Sequence, residues 1–130
     1  MIFVDTNYFL RYFLKDIPSH HKIAKKLFTD GVKGSKKLFT STIVIFEIYW
    51  VFTSFYQKTK NEVIDILNKT ISLNFIKIVE REVIKEAIYL FNESNLDFED
   101  CFNLVFARNN EMKDFATFDK KLENYLKKST

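Results

Sequence analysis

Met1-Ile2-Phe3-Val4-Asp5-Thr6-Asn7 decides how the chain is read. Four apolar residues make a short buried strand, and Asp5, Thr6 and Asn7 are residues that favour the N-cap of a helix. The stretch therefore predicts a strand passing at once into a helix that runs to about Lys15. The same alternation continues outward from it. Pro18 and Ser19 open a second helix over about 20–29, with Ile23, Ala24, Leu27 and Phe28 at helical spacing, and Gly31 and Gly34 are read as its stop. Residues 38–40 form a second short strand, and Ser41 and Thr42 can cap a helix reaching about Tyr56.

Residues 60–70 repeat a helical pattern through Val63, Ile64, Leu67 and Ile71. Residues 75–79 are β-branched and aromatic, as a third strand requires. Residues 82–93 read as an amphipathic helix with Val83, Ala87, Leu90 and Phe91 inward, and a further helix follows Asp97 to about Asn109. Residues 115–118 are expected as a last strand, with a last helix beginning at Asp119. Strands alternating with helices predict an α/β fold, a three-layer α/β/α sandwich around a small, mostly parallel central sheet. With 130 residues, two glycines, one proline and no internal repeat, a single domain over 1–130 is expected.

Composition narrows the function classes. The apolar start carries no basic leader and Asp5 interrupts it, so no signal peptide is expected. No stretch approaches the roughly 20 apolar residues of a membrane span. A lone cysteine, Cys101, excludes an internal disulfide, suits a reducing compartment and reads as core packing. A cytoplasmic protein without a membrane partner is the expectation. The net charge of +3 is mild. Its lysines gather at Lys22, Lys25, Lys26, Lys33, Lys36 and Lys37 and again at Lys120, Lys121, Lys127 and Lys128, which solvated helix faces would also explain.

Four acids stand out. Asp5 and Asp119 are each expected at the carboxyl end of a short strand where a helix begins, the edge at which open parallel sheets bind ligands. Right-handed crossovers would bring such ends to one side. Capping explains each equally well. Glu47 lies within Ile43-Val44-Ile45-Phe46-Glu47-Ile48-Tyr49-Trp50-Val51-Phe52. A helix so apolar is expected to be buried, where a carboxylate needs a cation, a structural salt bridge or the rim of a cleft. Asp97 and Asp100 share a helix face near its positive end. Capping suffices for Asp97, whereas Asp100 stands too far into the helix to cap it.

Gathered carboxylates repel unless a cation lies among them, and hard divalent ions prefer oxygen donors. Such a centre activates water against a phosphodiester. Rival chemistries lack their residues. His20 and His21 have no partner at zinc spacing, no glycine-rich phosphate loop exists, and Asp5 is not followed by the second aspartate of aspartyl phosphatases or receiver domains.

Phe3-Val4-Asp5-Thr6-Asn7, Ser41-Thr42 leading to Glu47, Leu96-Asp97-Phe98-Glu99-Asp100 and Ala116-Thr117-Phe118-Asp119 occur in that order. In this the chain resembles the PIN-domain ribonucleases, specifically the VapC-type toxins of prokaryotic toxin–antitoxin pairs. The resemblance spans nearly the whole chain. It implies metal-site acids at Asp5, Glu47, Asp100 and Asp119, with Asp97, Thr6, Asn7 and Thr117 as supporting polar neighbours. It implies Mg²⁺ or Mn²⁺, an RNA substrate, a homodimer, and an antitoxin whose C-terminal segment occupies the groove. Arg11 is a candidate contact for substrate phosphates, or a surface residue. The chain departs from the family at Cys101-Phe102-Asn103-Leu104-Val105-Phe106, where small residues are usual, and in its 15 phenylalanines. A non-catalytic PIN-like binding or scaffolding module is the alternative function.

Overall fold

The computed structural model describes residues 1–129. They divide into two compact units, Met1–Arg81 and a second from Glu82 onward. The first holds β1 (Ile2–Phe3), α1 (Thr6–Leu14), α2 (Pro18–Lys33), β2 (Leu38–Thr40), α3 (Thr42–Trp50), a π-helical turn (Val51–Phe55), α4 (Lys60–Ile71) and β3 (Ile76–Ile78). Then follow α5 (Arg81–Glu93), α6 (Phe98–Asn109) and α7 (Lys120–Lys128).

All three strands are parallel in the order β1-β2-β3, with Ile2 beside Leu38 and Leu38 beside Ile76. Parallel strands need crossovers, and the helices between them supply these. The α/β class with a parallel sheet is as expected. Leu38 and Ile76 are fully buried, as are Phe9, Ile48, Phe52 and Leu67 from the helices of this unit. Phe28 joins them by ring contacts with Phe9 at 5.6 Å, Tyr12 at 4.8 Å and Phe75 at 5.8 Å. In the second unit Ile84, Ala87, Ile88 and Phe91 are buried. The inward face of α5 is thus rotated from the expected one, leaving Val83 and Leu90 half-buried.

Three local expectations are corrected. Gly31 does not stop α2; only Gly34 does, at φ 81°. Gly31 is buried inside the helix, where a Cβ would lie 2.8 Å from Leu38 Cδ1 and 2.9 Å from Phe75 Cδ2. Glycine is there for close packing on the sheet. The helix after Ser41 ends at Trp50 and widens into the π turn, with Tyr56 N–H bonded back to Val51 O. Residues 115–118 form no strand: Asp114 Oδ1 takes the Phe115 amide and Thr117 Oγ1 takes the Asp119 amide. Short polar side chains that bind nearby amides compete with a ladder. Phe118 is fully exposed, so no burial favours pairing either.

Arg81 ties the end of α4 to the start of β3. Its guanidinium donates to the carbonyls of Ile71, Leu73 and Ile76 at 2.9–3.1 Å. The single nitrogen of a lysine cannot reproduce this planar spread over two donor nitrogens. Arg81→Ala is expected to lower the unfolding free energy by about 2–3 kcal/mol, as charge-assisted bonds to part-buried carbonyls are lost. Arg81→Lys should recover little of it, and denaturant midpoints of the two variants check this.

Candidate functional site

Asp5 sits where β1 ends. Its Oδ1 accepts the Thr6 amide at 2.8 Å, so the carboxylate caps α1 as its residue type suggested. Thr40 Oγ1 donates to Val4 O at 2.7 Å and fixes the chain immediately before it. Thr6 is buried, and its Oγ1 is the buried side-chain oxygen left without a partner among the described residues. Asn7 and Tyr8 are exposed in the first turn. With Arg11, Ile17, His20 and Ile23 they line a cavity of about 470 Å³. Arg11 is not a free surface cation: Asp16 holds it at 2.8 Å, and its side chain is only 17% exposed. His20 lies on the surface, while His21 is half-buried against the Tyr12 ring.

The expected burial of Glu47 is wrong. Glu47 is exposed on α3, between Ile43 at 71% and Trp50 at 62% exposure. The helix is apolar on every side, yet only Val44, Ile45 and Ile48 are buried, leaving Ile43, Glu47 and Trp50 as an outward stripe. The carboxylate therefore needs no buried cation. It stands in water on a helix that packs against α1, the helix Asp5 caps.

In the second unit several carboxylates influence one another's charge. Asp100 titrates above the ordinary aspartate range, first because burial strips its water, then because Asp119 and Asp97 are close; Lys121 partly offsets this. Glu99 is also raised, first by desolvation and then by the charges of Asp97 and Asp100. Sequence reasoning does not single out Glu99, although it stands inside the acidic run. Asp97 occupies the N-cap of α6 but makes no capping bond with its side chain, contrary to expectation. Asp119 caps α7 through Oδ1, which accepts the Leu122 amide at 2.9 Å, and Thr117 Oγ1 holds the Asp119 amide.

A family model for the PIN domain matches residues 2–128. The chain belongs to the PIN-domain family. No curated protein and no solved structure matches it. PIN domains are a nuclease family whose members generally use a divalent metal. This PIN domain offers donors of the required kind, all hard oxygens, together with the unpartnered Thr6 hydroxyl and an Asp100 carboxyl that burial and nearby like charge push toward the protonated form. Among the described residues no three such side chains stand close enough to hold an ion by themselves. Mg²⁺ typically takes one or two carboxylates and keeps its waters, so the donor chemistry fits without a full cage. No helix among the described residues is long and apolar enough to cross a membrane.

Asp100 gives a pH dependence of definite sign. Its folded pKa is raised, so the folded chain holds that proton more tightly than the unfolded one. The stability it contributes is complete below the ordinary aspartate value and is lost as pH rises through the raised one. In chelator, Asp100→Asn is expected to be more stable than the parent at about pH 7 and equal to it near pH 3. Urea midpoints at the two pH values test this; a variant less stable at neutral pH would show that Asp100 is not frustrated.

Proposed function

We propose that this PIN domain is an endoribonuclease that hydrolyses RNA phosphodiesters with Mg²⁺ or Mn²⁺, served by Asp5, Glu47, Asp100 and Asp119. The observation that carries the reading is Asp100, desolvated beside Asp119 and Asp97 in a chain matched from end to end by a nuclease family. Proteins keep such repulsion where a cation or a proton is wanted.

Hydrolysis joins a water oxygen to phosphorus and breaks a bridging P–O bond, whose oxygen leaves with a proton. When bound, the metal supplies a more acidic water and neutralises developing charge. Asp5, Asp100 and Asp119 would hold it directly or through water. Asp5 and Asp119 each use only Oδ1 for capping, so a second oxygen remains for a ligand. Glu47, exposed on α3, would bind metal or position the attacking water. Thr6, Asn7, Thr117 and Asp97 would orient these groups, and Arg11, if Asp16 releases it, would meet a phosphate.

The VapC resemblance extends the proposal. The chain would be the toxin of a VapBC-type pair, a cytoplasmic homodimer over one domain, 1–130, silenced by a cognate antitoxin. A non-catalytic binding or scaffolding module is the second reading, favoured by the lack of a three-acid cluster among the described residues.

Cleavage of a labelled mixed RNA pool with Mg²⁺, Mn²⁺ or EDTA separates the two. Cutting is expected with metal only, falling at least ~100-fold in Asp5→Asn and in Asp100→Asn, beyond what outer neighbours of a metal typically contribute. Cutting that survives EDTA and both variants would defeat the mechanism. Silence in every metal, with no metal uptake by calorimetry, would establish the module instead.

A further inference from the structure

Helix α7 begins directly after Asp119, and one of its faces is unlike the others. Lys121, Asn124, Tyr125 and Lys128 follow one another at helical spacing and line a cavity of about 390 Å³, with Asn95 across from them. The neighbouring Lys120 is paired with Glu123 at 3.5 Å. Lys121 and Lys128 form no ion pair among the described residues. Helix stability accounts for Lys128, which lies at the negative end of α7. It does not account for Lys121, a cation in the first turn, where the helix dipole opposes it. Lys121 instead stands near Asp100. One carboxylate, Glu93, also borders the cavity, and it is exposed.

Unpaired cations seven residues apart lie roughly 10 Å apart along the axis, with an aromatic ring and an amide between them. Cations tracking a backbone, interleaved with a ring for stacking, are how proteins hold single-stranded nucleic acid. We infer that this cavity is a subsite for single-stranded RNA, in which Lys121 and Lys128 hold phosphates, Tyr125 carries an unstacked base, and Asn95 and Asn124 meet its edge. The substrate class rests on the nuclease reading above. The site itself rests on the α7 face.

The test is anisotropy of a labelled, unstructured RNA bound in EDTA, across a range of salt. For K121A/K128A the slope of log affinity against log salt is expected to shrink by about 1.4, or about 0.7 for each phosphate no longer neutralised. Lys120 is paired with Glu123 and lies outside the cavity lining, so Lys120→Ala should leave the slope as in the parent. Tyr125→Leu should weaken binding by about 5- to 150-fold with its slope kept, and Tyr125→Phe should bind as the parent does. Circular dichroism confirms that each variant is folded. An unchanged slope in the double variant overturns the subsite, as does a parent that binds an acidic peptide there but no RNA. Parallel cleavage assays keep the two readings apart. A parent that cuts while the slope is unmoved leaves a nuclease without this subsite. A slope that falls in a parent inert with every metal leaves an RNA-binding face without the nuclease.

Discussion

A single buried hydrogen bond, from Thr40 Oγ1 to Val4 O, carries more than its own free energy. Val4 also gives its amide to Phe39 O, so both polar groups of the last residue before Asp5 are held by β2. Without such partners a buried carbonyl is costly. With them, the exit of the chain from the sheet has one direction, and α1 has one place to start. Asp5 inherits its position from this bond, as Thr6 does its burial. β1 has only two residues, too few for a ladder to fix alone. The side-chain bond adds what the strand is too short to supply.

The same economy explains how the acids divide their labour. Capping and ligation look like rival roles for an aspartate after a strand, but a carboxylate has two oxygens. Asp5 and Asp119 each give Oδ1 to a helix amide, which fixes the side-chain rotamer and leaves the other oxygen free of the cap. A capped aspartate is therefore a preorganised one, ordered before any ligand arrives. Asp100 differs, because among the described residues no helix amide is bound to it in that way. Its cost is visible instead as a carboxyl pushed toward the neutral form by burial and by Asp119.

Much of this is legible in the sequence, for identifiable reasons. The α-helices can be foreseen because apolar residues recur at helical period or a capping residue marks the start, and β2 at its full length because turn and capping residues bound it on both sides. The errors at Gly31 and Glu47 need knowledge of what lies across space, whereas the one at residues 115–118 is local. Gly31 looks like a terminator until Leu38 and Phe75 are placed against it. Residues 115–118 have strand composition, but Asp114 and Thr117 satisfy the local amides first. Glu47 misleads because hydrophobicity on all sides of a helix implies burial only if neighbours exist on all sides. For α3 they do not, and Ile43 and Trp50 remain in solvent.

The bulky run after Asp100 shows how a departure from the family can leave the acids untouched. Cys101, Leu104 and Val105 are buried and fill the core of their unit. Phe102 and Phe106, one turn apart on α6, stack on each other at 6.1 Å. Two residues on from Asp100, a side chain points about 200° around the helix, so Phe102 lies on nearly the opposite side. Phe106, six residues on, falls at about 240° and shares that outer side. The extra aromatic volume of Phe102 and Phe106 thus faces away from Asp100. What the bulk does alter is the outer surface of α6, where Phe106 stays exposed beside a half-buried ring. Because the helical period separates the two faces, α6 can gain apolar surface on one side without disturbing the charge it carries on the other.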